Sequence, residues 1–176
     1  MTGRIVLNLG SGGVPAPADV VDGGREIRVD ICQPADVVAD VRAMPFDDGY
    51  ADAVYTSHLL EHFAESETVS VLQEWRRVLK PGGTLIVLTP DVQSTAARIA
   101  TDGIDAVLYI TRDGLQIRSQ DVIFGYQPWV ARNASMRHLV AFDAAKMSGV
   151  LRQAGFSKGQ VEQNVSLFSL RATAVK

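Results

Sequence analysis

A single cysteine, Cys32, is all the thiol this chain contains. That excludes an internal disulfide and a multi-cysteine metal site, and it fits a reducing cytoplasm. Also missing is any apolar run near the roughly 20 residues of a membrane span. The first apolar segment begins at about Arg4, which leaves no room for a signal peptide ahead of it. No internal repeat, low-complexity tract or linker interrupts the sequence. Its 176 residues are therefore expected to form one domain, 1–176, with a sizeable core. Net charge is small, −3, but uneven. Residues 1–80 carry seven basic and thirteen acidic side chains, and residues 81–176 carry ten and seven. An acidic first half argues against a nucleic-acid partner, whereas the mildly basic second half allows an anionic substrate.

What is present starts with Ile5-Val6-Leu7 followed by Asn8-Leu9-Gly10-Ser11-Gly12-Gly13. A buried strand ending in a glycine-rich turn is how open α/β sheets build nucleotide-type sites, because glycine lets the backbone approach a ligand closely. Twenty residues after Gly10, Asp30 closes a second apolar segment, Ile27-Arg28-Val29-Asp30. An acid at that strand tip can accept hydrogen bonds from both ribose hydroxyls of an adenosine ligand. A nicotinamide fingerprint needs Gly or Ala where this chain has Pro15, and a phosphate-binding P-loop needs a Gly-Lys-Ser/Thr ending that is absent.

The order of elements reads as α/β. Strands are expected at Arg4–Leu9, Glu26–Ile31, Val37–Asp40, Ala51–Thr56 and Thr84–Leu88, the last buried on both faces. Val69, Leu72, Trp75 and Leu79 fall at helical spacing, with Ser66 or Thr68 as N-cap and Pro81-Gly82-Gly83 as stop. A further helix is expected near Val92–Ala100, and another after Asp143 carrying Met147, Val150, Leu151 and Ala154. Val161–Gln163 and Ser166–Ala172 read as closing strands.

Several segments together resemble the class I S-adenosylmethionine-dependent methyltransferases, in particular small bacterial members of the type 11 kind. They are Leu7–Gly13, Val29-Asp30, Ala39–Phe46, Ser57-His58-Leu59-Leu60-Glu61-His62 and Glu74–Leu85, with Ala154-Gly155-Phe156 further on. The resemblance implies a Rossmann-like sheet of seven strands, mostly parallel, with the last strand antiparallel. It implies S-adenosyl-L-methionine as cofactor. Gly10, Ser11 and Gly12 would pass beneath its methionine part, and Asp30, with Ile31 beside it, would bind the ribose. Asp40, Val41 and Met44 would hold the adenine, and Ser57 and His58 would line the methionine end and the substrate mouth. The chain departs from the family at Asn8, where an acid that helps hold the cofactor's ammonium group is usual. It also departs at Pro15 and Pro17, which shorten the first helix. The Asn/Asp-Pro-Pro-aromatic run of DNA amino-methyltransferases is absent, with Thr56-Ser57-His58-Leu59 in its place.

The expected function is methyl transfer to a small-molecule or sugar-type acceptor at oxygen or nitrogen, by a monomer or homodimer with no membrane partner. The alternative is a non-catalytic scaffold of the same fold. His138, Asp91 and His58 are the candidate bases for an oxygen acceptor. For His138 the competing reading is a structural histidine, and for Asp91 it is a helix cap. Residues 100–137 are expected to cover the acceptor, with Arg112, Arg118, Arg132 and Arg137 beside Tyr126 and Trp129. His58-Leu59-Leu60-Glu61-His62 also spells an inverted zinc-protease pattern. No third ligand is evident from the sequence, so no metal is expected, and Glu61 and His62 read as packing and capping residues.

Overall fold

The computed structural model describes residues 3–176. A seven-stranded sheet runs in the order β3-β2-β1-β4-β5-β9-β8. Its strands are β1 (Ile5–Leu9), β2 (Arg25–Asp30), β3 (Val37–Val38), β4 (Ala51–Ser57), β5 (Leu79–Pro90), β8 (Ser157–Asn164) and β9 (Ser169–Val175). The strands from β3 to β5 pair in parallel, and β9 is antiparallel to both β5 and β8. This is the mostly parallel sheet with an antiparallel last strand that the sequence led us to expect.

Strand alternation divides the core between two faces. Leu7 and Leu9 of β1, Val54 of β4 and Leu85 and Val87 of β5 join the main cluster. That cluster is closed by Val71, Leu72, Trp75 and Val78 of α2 (Thr68–Val78) and Met147 and Leu151 of α6 (Ala144–Gln153). Val6, Ala53, Tyr55 and Ile86 point the other way, into a smaller cluster covered by Ala16 and Val20. The helix there, α1 (Ala18–Val21), has only four residues, as Pro15 and Pro17 predict.

Three local expectations are corrected. Neither Ser66 nor Thr68 caps α2; the 3₁₀ turn Glu65–Glu67 runs straight into the helix, and Thr68 is already its first residue. The helix stops at Val78, before Pro81, and the Lys176 ammonium donates to the carbonyls of Arg77 and Leu79 at that end. β8 is longer than its apolar content suggests because it is an edge strand, with only Val161 partly buried. Asp143 caps α6 as expected, accepting from the Lys146 amide at 2.7 Å.

Between β5 and α6 the chain leaves the sheet. It forms α3 (Val92–Asp102), a hairpin of β6 (Val107–Ile110) and β7 (Gln116–Arg118), then α4 (Ser119–Phe124) and α5 (Gln127–Val130). It returns where it left, with Asp91 and Phe142 bridged and the Val92 amide donating to the Phe142 carbonyl at 3.0 Å.

One acid–base pair fixes the loop that precedes β4. Glu74 accepts from the Met44 amide at 2.8 Å and from the Arg77 guanidinium, which also reaches the Met44 and Phe46 carbonyls. Burial alone would push Glu74 up, but Arg77 and the Met44 amide outweigh it and hold the carboxyl below the ordinary value of 4.5. Its contribution to stability is therefore present above that value and lost as pH falls through the lowered folded value. Glu74→Gln is expected to cost about 2 kcal/mol at neutral pH, the worth of hydrogen bonds to a charged group. That cost should shrink towards zero in acid, once pH has fallen through the lowered folded value. Urea unfolding at neutral and at acid pH checks this, and an equal cost at both would refute it.

Candidate active site

The glycine turn sits at the carboxyl edge of the parallel strands, where open α/β sheets place ligands. Gly10 and Gly12 take φ of +62° and +54°, a left-handed conformation that side chains disfavour. Leu59 lies so close over Gly10 that an added Cβ would stand 2.8 Å from it, whereas the space beside Gly12 is open. Ser11 is buried, and its hydroxyl accepts from the Gly13 amide. Asp30, at the tip of β2, accepts from the Gly12 amide at 2.9 Å through one oxygen and from Cys32 through the other. The charge of Asp30, with some burial and a hydrogen bond, pushes the Cys32 thiol up, so it is a poor nucleophile. Ile31 beside it is exposed.

Asn8 is 2 % exposed and clamps the loop from beneath. Its amide nitrogen donates to the Val14 carbonyl and to Glu26 at 2.8 Å. The same Glu26 oxygen accepts from the Ala16 amide. Glu26 is thus the acid standing beside Asn8, a neighbour the sequence reading did not single out because it precedes the strand tip. Val41 and Met44 are buried, with the Val41 carbonyl accepting from the Trp75 indole at 3.1 Å. Asp40 faces Arg42, whose guanidinium and amide both donate to it. The Arg42 bonds outweigh partial burial and hold the Asp40 carboxyl below its ordinary range.

At the end of β4, after Ser57, the chain bends at His58, a non-glycine residue with φ of +54°. A 3₁₀ turn, Leu60–His62, follows. The carbonyl of Glu61 in this turn accepts from the Leu139 and Val140 amides, which ties the returning segment and His138 to it. All three histidines of the chain now surround one carboxylate. His58 Nδ1 donates to Glu61 Oε1 at 3.2 Å, and His138 Nε2 stands 4.0 Å from the same oxygen. The His62 and His138 rings meet edge to face, 5.1 Å apart. Glu61 is 1 % exposed, and its second oxygen, Oε2, is buried without a partner. Burial would raise Glu61, but the His58 hydrogen bond and the charges of the three histidines outweigh it and hold it low. Burial pulls His58 down, and the Glu61 bond more than restores it, leaving it raised. In His138 burial wins over the attraction of Glu61, and the ring is lowered.

The third base candidate does not join them. Asp91 is fully buried and caps α3, accepting from the Gln93 amide, the Ser94 hydroxyl and the Gln163 amide group. We therefore withdraw it as a base and assign it the capping role. Of the four cover arginines, Arg118 is engaged with Asp105 and Asp121. Trp129 is half exposed and meets Tyr126 edge to face at 5.3 Å.

Comparisons with known proteins agree with this fold. Residues 7–87 match a family model described as a methyltransferase domain. The whole chain superposes on a Burkholderia thailandensis 1,6-didemethyltoxoflavin-N1-methyltransferase solved with S-adenosylhomocysteine, at a TM-score of 0.63 and 18% identity. That match covers 99% of this chain and 71% of the other. A methyltransferase structure from Archaeoglobus fulgidus gives 0.63 at 15% identity, covering 99% and 86%. Haemonchus contortus phosphoethanolamine N-methyltransferase 2, solved with S-adenosylmethionine, gives 0.60 at 14%, covering 99% and 49%. A curated relative, an uncharacterized 37.1 kDa protein in transposon TN4556 of Streptomyces fradiae, is 29% identical over 93 residues. The match takes in 53% of this chain and only 25% of that relative's length. The sheet order defines a Rossmann-like α/β domain, with Gly10 and Asp30 at the carboxyl edge of its parallel strands. Residues 7–87 thus resemble a methyltransferase domain, and the likeness to the solved S-adenosylmethionine-dependent methyltransferases is a likeness of fold. Among the described residues, no helix is long and apolar enough to cross a membrane.

Proposed function

We propose that this chain transfers a methyl group from S-adenosylmethionine to a small-molecule acceptor of anionic or sugar type, at oxygen or nitrogen. The observation that carries the reading is the pairing of Asp30 with an open left-handed turn at Gly12. A carboxylate there suits two vicinal hydroxyls, and the open space beside Gly12 leaves room for the methionine part. When bound, the cofactor supplies an electrophilic methyl on sulfonium, and the acceptor's lone pair displaces sulfur in line.

The residues of this chain do the rest by alignment. Gly10, Ser11 and Gly12 would run beneath the methionine portion, Asp30 and Ile31 would hold the ribose, and Val41 and Met44 would wall the adenine. Asp40 would reach the adenine amino group while keeping its Arg42 bonds, since a carboxylate has several lone pairs. Ser57 and His58 would line the mouth. We propose 100–137 as the cover over the acceptor, where the Tyr126–Trp129 pair suits a planar or sugar ring. His138 would face the acceptor's ionisable hydrogen from the returning segment.

Calorimetry with S-adenosylmethionine and S-adenosylhomocysteine tests the reading. Micromolar binding of both supports it, and no binding of either by folded protein overturns it. With an acceptor found by screening phosphorylated sugars and small metabolites, His138→Ala is expected to lower turnover about 100-fold with cofactor affinity unchanged. Binding without transfer to any acceptor would instead favour the scaffold alternative.

A further inference from the structure

The cluster around Glu61 holds acceptors where donors are wanted. His62 Nδ1 lies 2.8 Å from the Arg137 carbonyl, and His138 Nδ1 lies 2.9 Å from the Val122 carbonyl. A carbonyl can only accept, so each ring donates from Nδ1, and the neutral ring carries its lone pair on Nε2. His138 Nε2 turns towards the Glu61 carboxylate, 4.0 Å from Oε1, and the His62 ring packs edge to face on that of His138. One ligand atom from each of Glu61, His62 and His138 lies within 4.8 Å of the others. Glu61 Oε2 is buried there without any donor. Three electron-pair donors stand together here, Glu61 buried and both imidazoles partly exposed, and leave a place for a cation.

We propose that Glu61, His62 and His138 bind a divalent transition-metal ion of the zinc kind. Two imidazoles and a carboxylate are a ligand set that first-row metals accept, and three ligands leave a coordination position open. The outer contacts are those a metal site needs: each ligating histidine gives its other N–H to a backbone carbonyl, and Glu61 is anchored by His58. The backbone adds rigidity, because the Glu61 carbonyl accepts from Leu139 and Val140 and so pins the two halves of the site together. The inverted His-x-x-Glu-His spelling is used only in part. His58 orients the carboxylate, and the third ligand is His138, which comes from the far side of the excursion.

The site deepens the methyl-transfer reading and rests on it for its role. Leu59, two residues before Glu61, covers Gly10, so the cluster adjoins the glycine turn. A cation there would draw the acceptor's hydroxyl oxygen to its open position and acidify the O–H. With its Nε2 pair on the ion, His138 acts as a ligand in place of a base: the proton leaves to solvent, the oxygen pair forms the new bond to the methyl carbon, and the sulfur keeps the pair from the broken bond. The acceptor class narrows to compounds that present a hydroxyl.

The test needs no acceptor. Protein stripped with a chelator is titrated with ZnCl₂ by calorimetry, and with CoCl₂ by visible absorption, while S-adenosylhomocysteine binding is followed in parallel. One Zn²⁺ per chain is expected, with cobalt bands of a nitrogen- and oxygen-ligated site. His62→Ala and His138→Ala should each weaken zinc binding by about 100-fold or more, with S-adenosylhomocysteine affinity kept. Asp30→Ala should show the reverse pattern. If the stripped wild type binds no zinc yet retains S-adenosylhomocysteine, the metal site is overturned and the methyltransferase reading stands. Zinc binding that both histidine variants leave untouched also overturns it. Loss of S-adenosylhomocysteine binding alone overturns the methyltransferase reading and leaves the metal site intact.

Discussion

Asp30→Ala is expected to weaken S-adenosylhomocysteine binding by about 100-fold or more, the loss of two charge-assisted hydrogen bonds to a ribose. The carboxylate is well placed for this because it stands at the strand tip and is only partly buried. Its contacts in the ligand-free protein are the Gly12 amide and Cys32, and the Gly12 amide is itself exposed enough to turn to water. Stability should therefore change by less than about 1 kcal/mol, the worth of one ordinary hydrogen bond. Asp30→Asn should fall between the two proteins, since an amide oxygen accepts but brings no charge. Calorimetry alongside thermal unfolding separates the cases. An unchanged affinity would mean that the cofactor ribose lies elsewhere.

Trp75→Ala is expected to cost about 3–5 kcal/mol, the usual range for emptying a buried tryptophan site. Against a total of about 5–15 kcal/mol, that brings the fold close to its limit. Trp75 is fully buried in the main core, and its indole N–H donates to the Val41 carbonyl. The substitution thus makes a cavity and also strips a donor from a buried carbonyl. Trp75→Phe keeps most of the volume and loses the donor, so it should cost about 1–3 kcal/mol. Because Val41 leads to Met44, both variants should also weaken S-adenosylhomocysteine binding. Urea unfolding followed by circular dichroism measures the cost, and a loss below about 1 kcal/mol for the alanine variant would refute this account of the core.

The parallel core was legible because its strands are short apolar runs with a clear period. Leu7, Val29, Val54 and Leu85 each mark a buried strand, and Gly10–Gly12 and Asp30 mark the edge between them. β8 was only partly legible because its single inward residue, Val161, leaves no alternation to read. In the excursion, β6 and β7 are half-exposed on short strands, so their periodicity is faint. The positions proposed for the cofactor follow local sequence order, so the sequence alone can nominate them. It cannot nominate the histidine cluster, because Glu61 and His138 meet only through the path of the excursion. The spelling around His58 gave two histidines, and nothing local told which of them faces the carboxylate with a free lone pair. Asp91 shows the opposite limit: an acid at the carboxyl edge of a strand looks like a site residue until its three donors are seen.

The excursion begins and ends at one point of the sheet, where Asp91 and Phe142 are bridged. Its ends are held by the framework whatever lies between them, and doubling such a span costs only about 0.6 kcal/mol in closure entropy. The interval 92–141 therefore behaves as an exchangeable cassette. It can be lengthened, trimmed or replaced without reopening the sheet, and under the proposed function such changes would alter which acceptor is admitted. Positions in that cassette tied to the framework include His138, which faces Glu61, Val140, which is buried in the main core, and Thr95, whose hydroxyl donates to the Asp91 carbonyl.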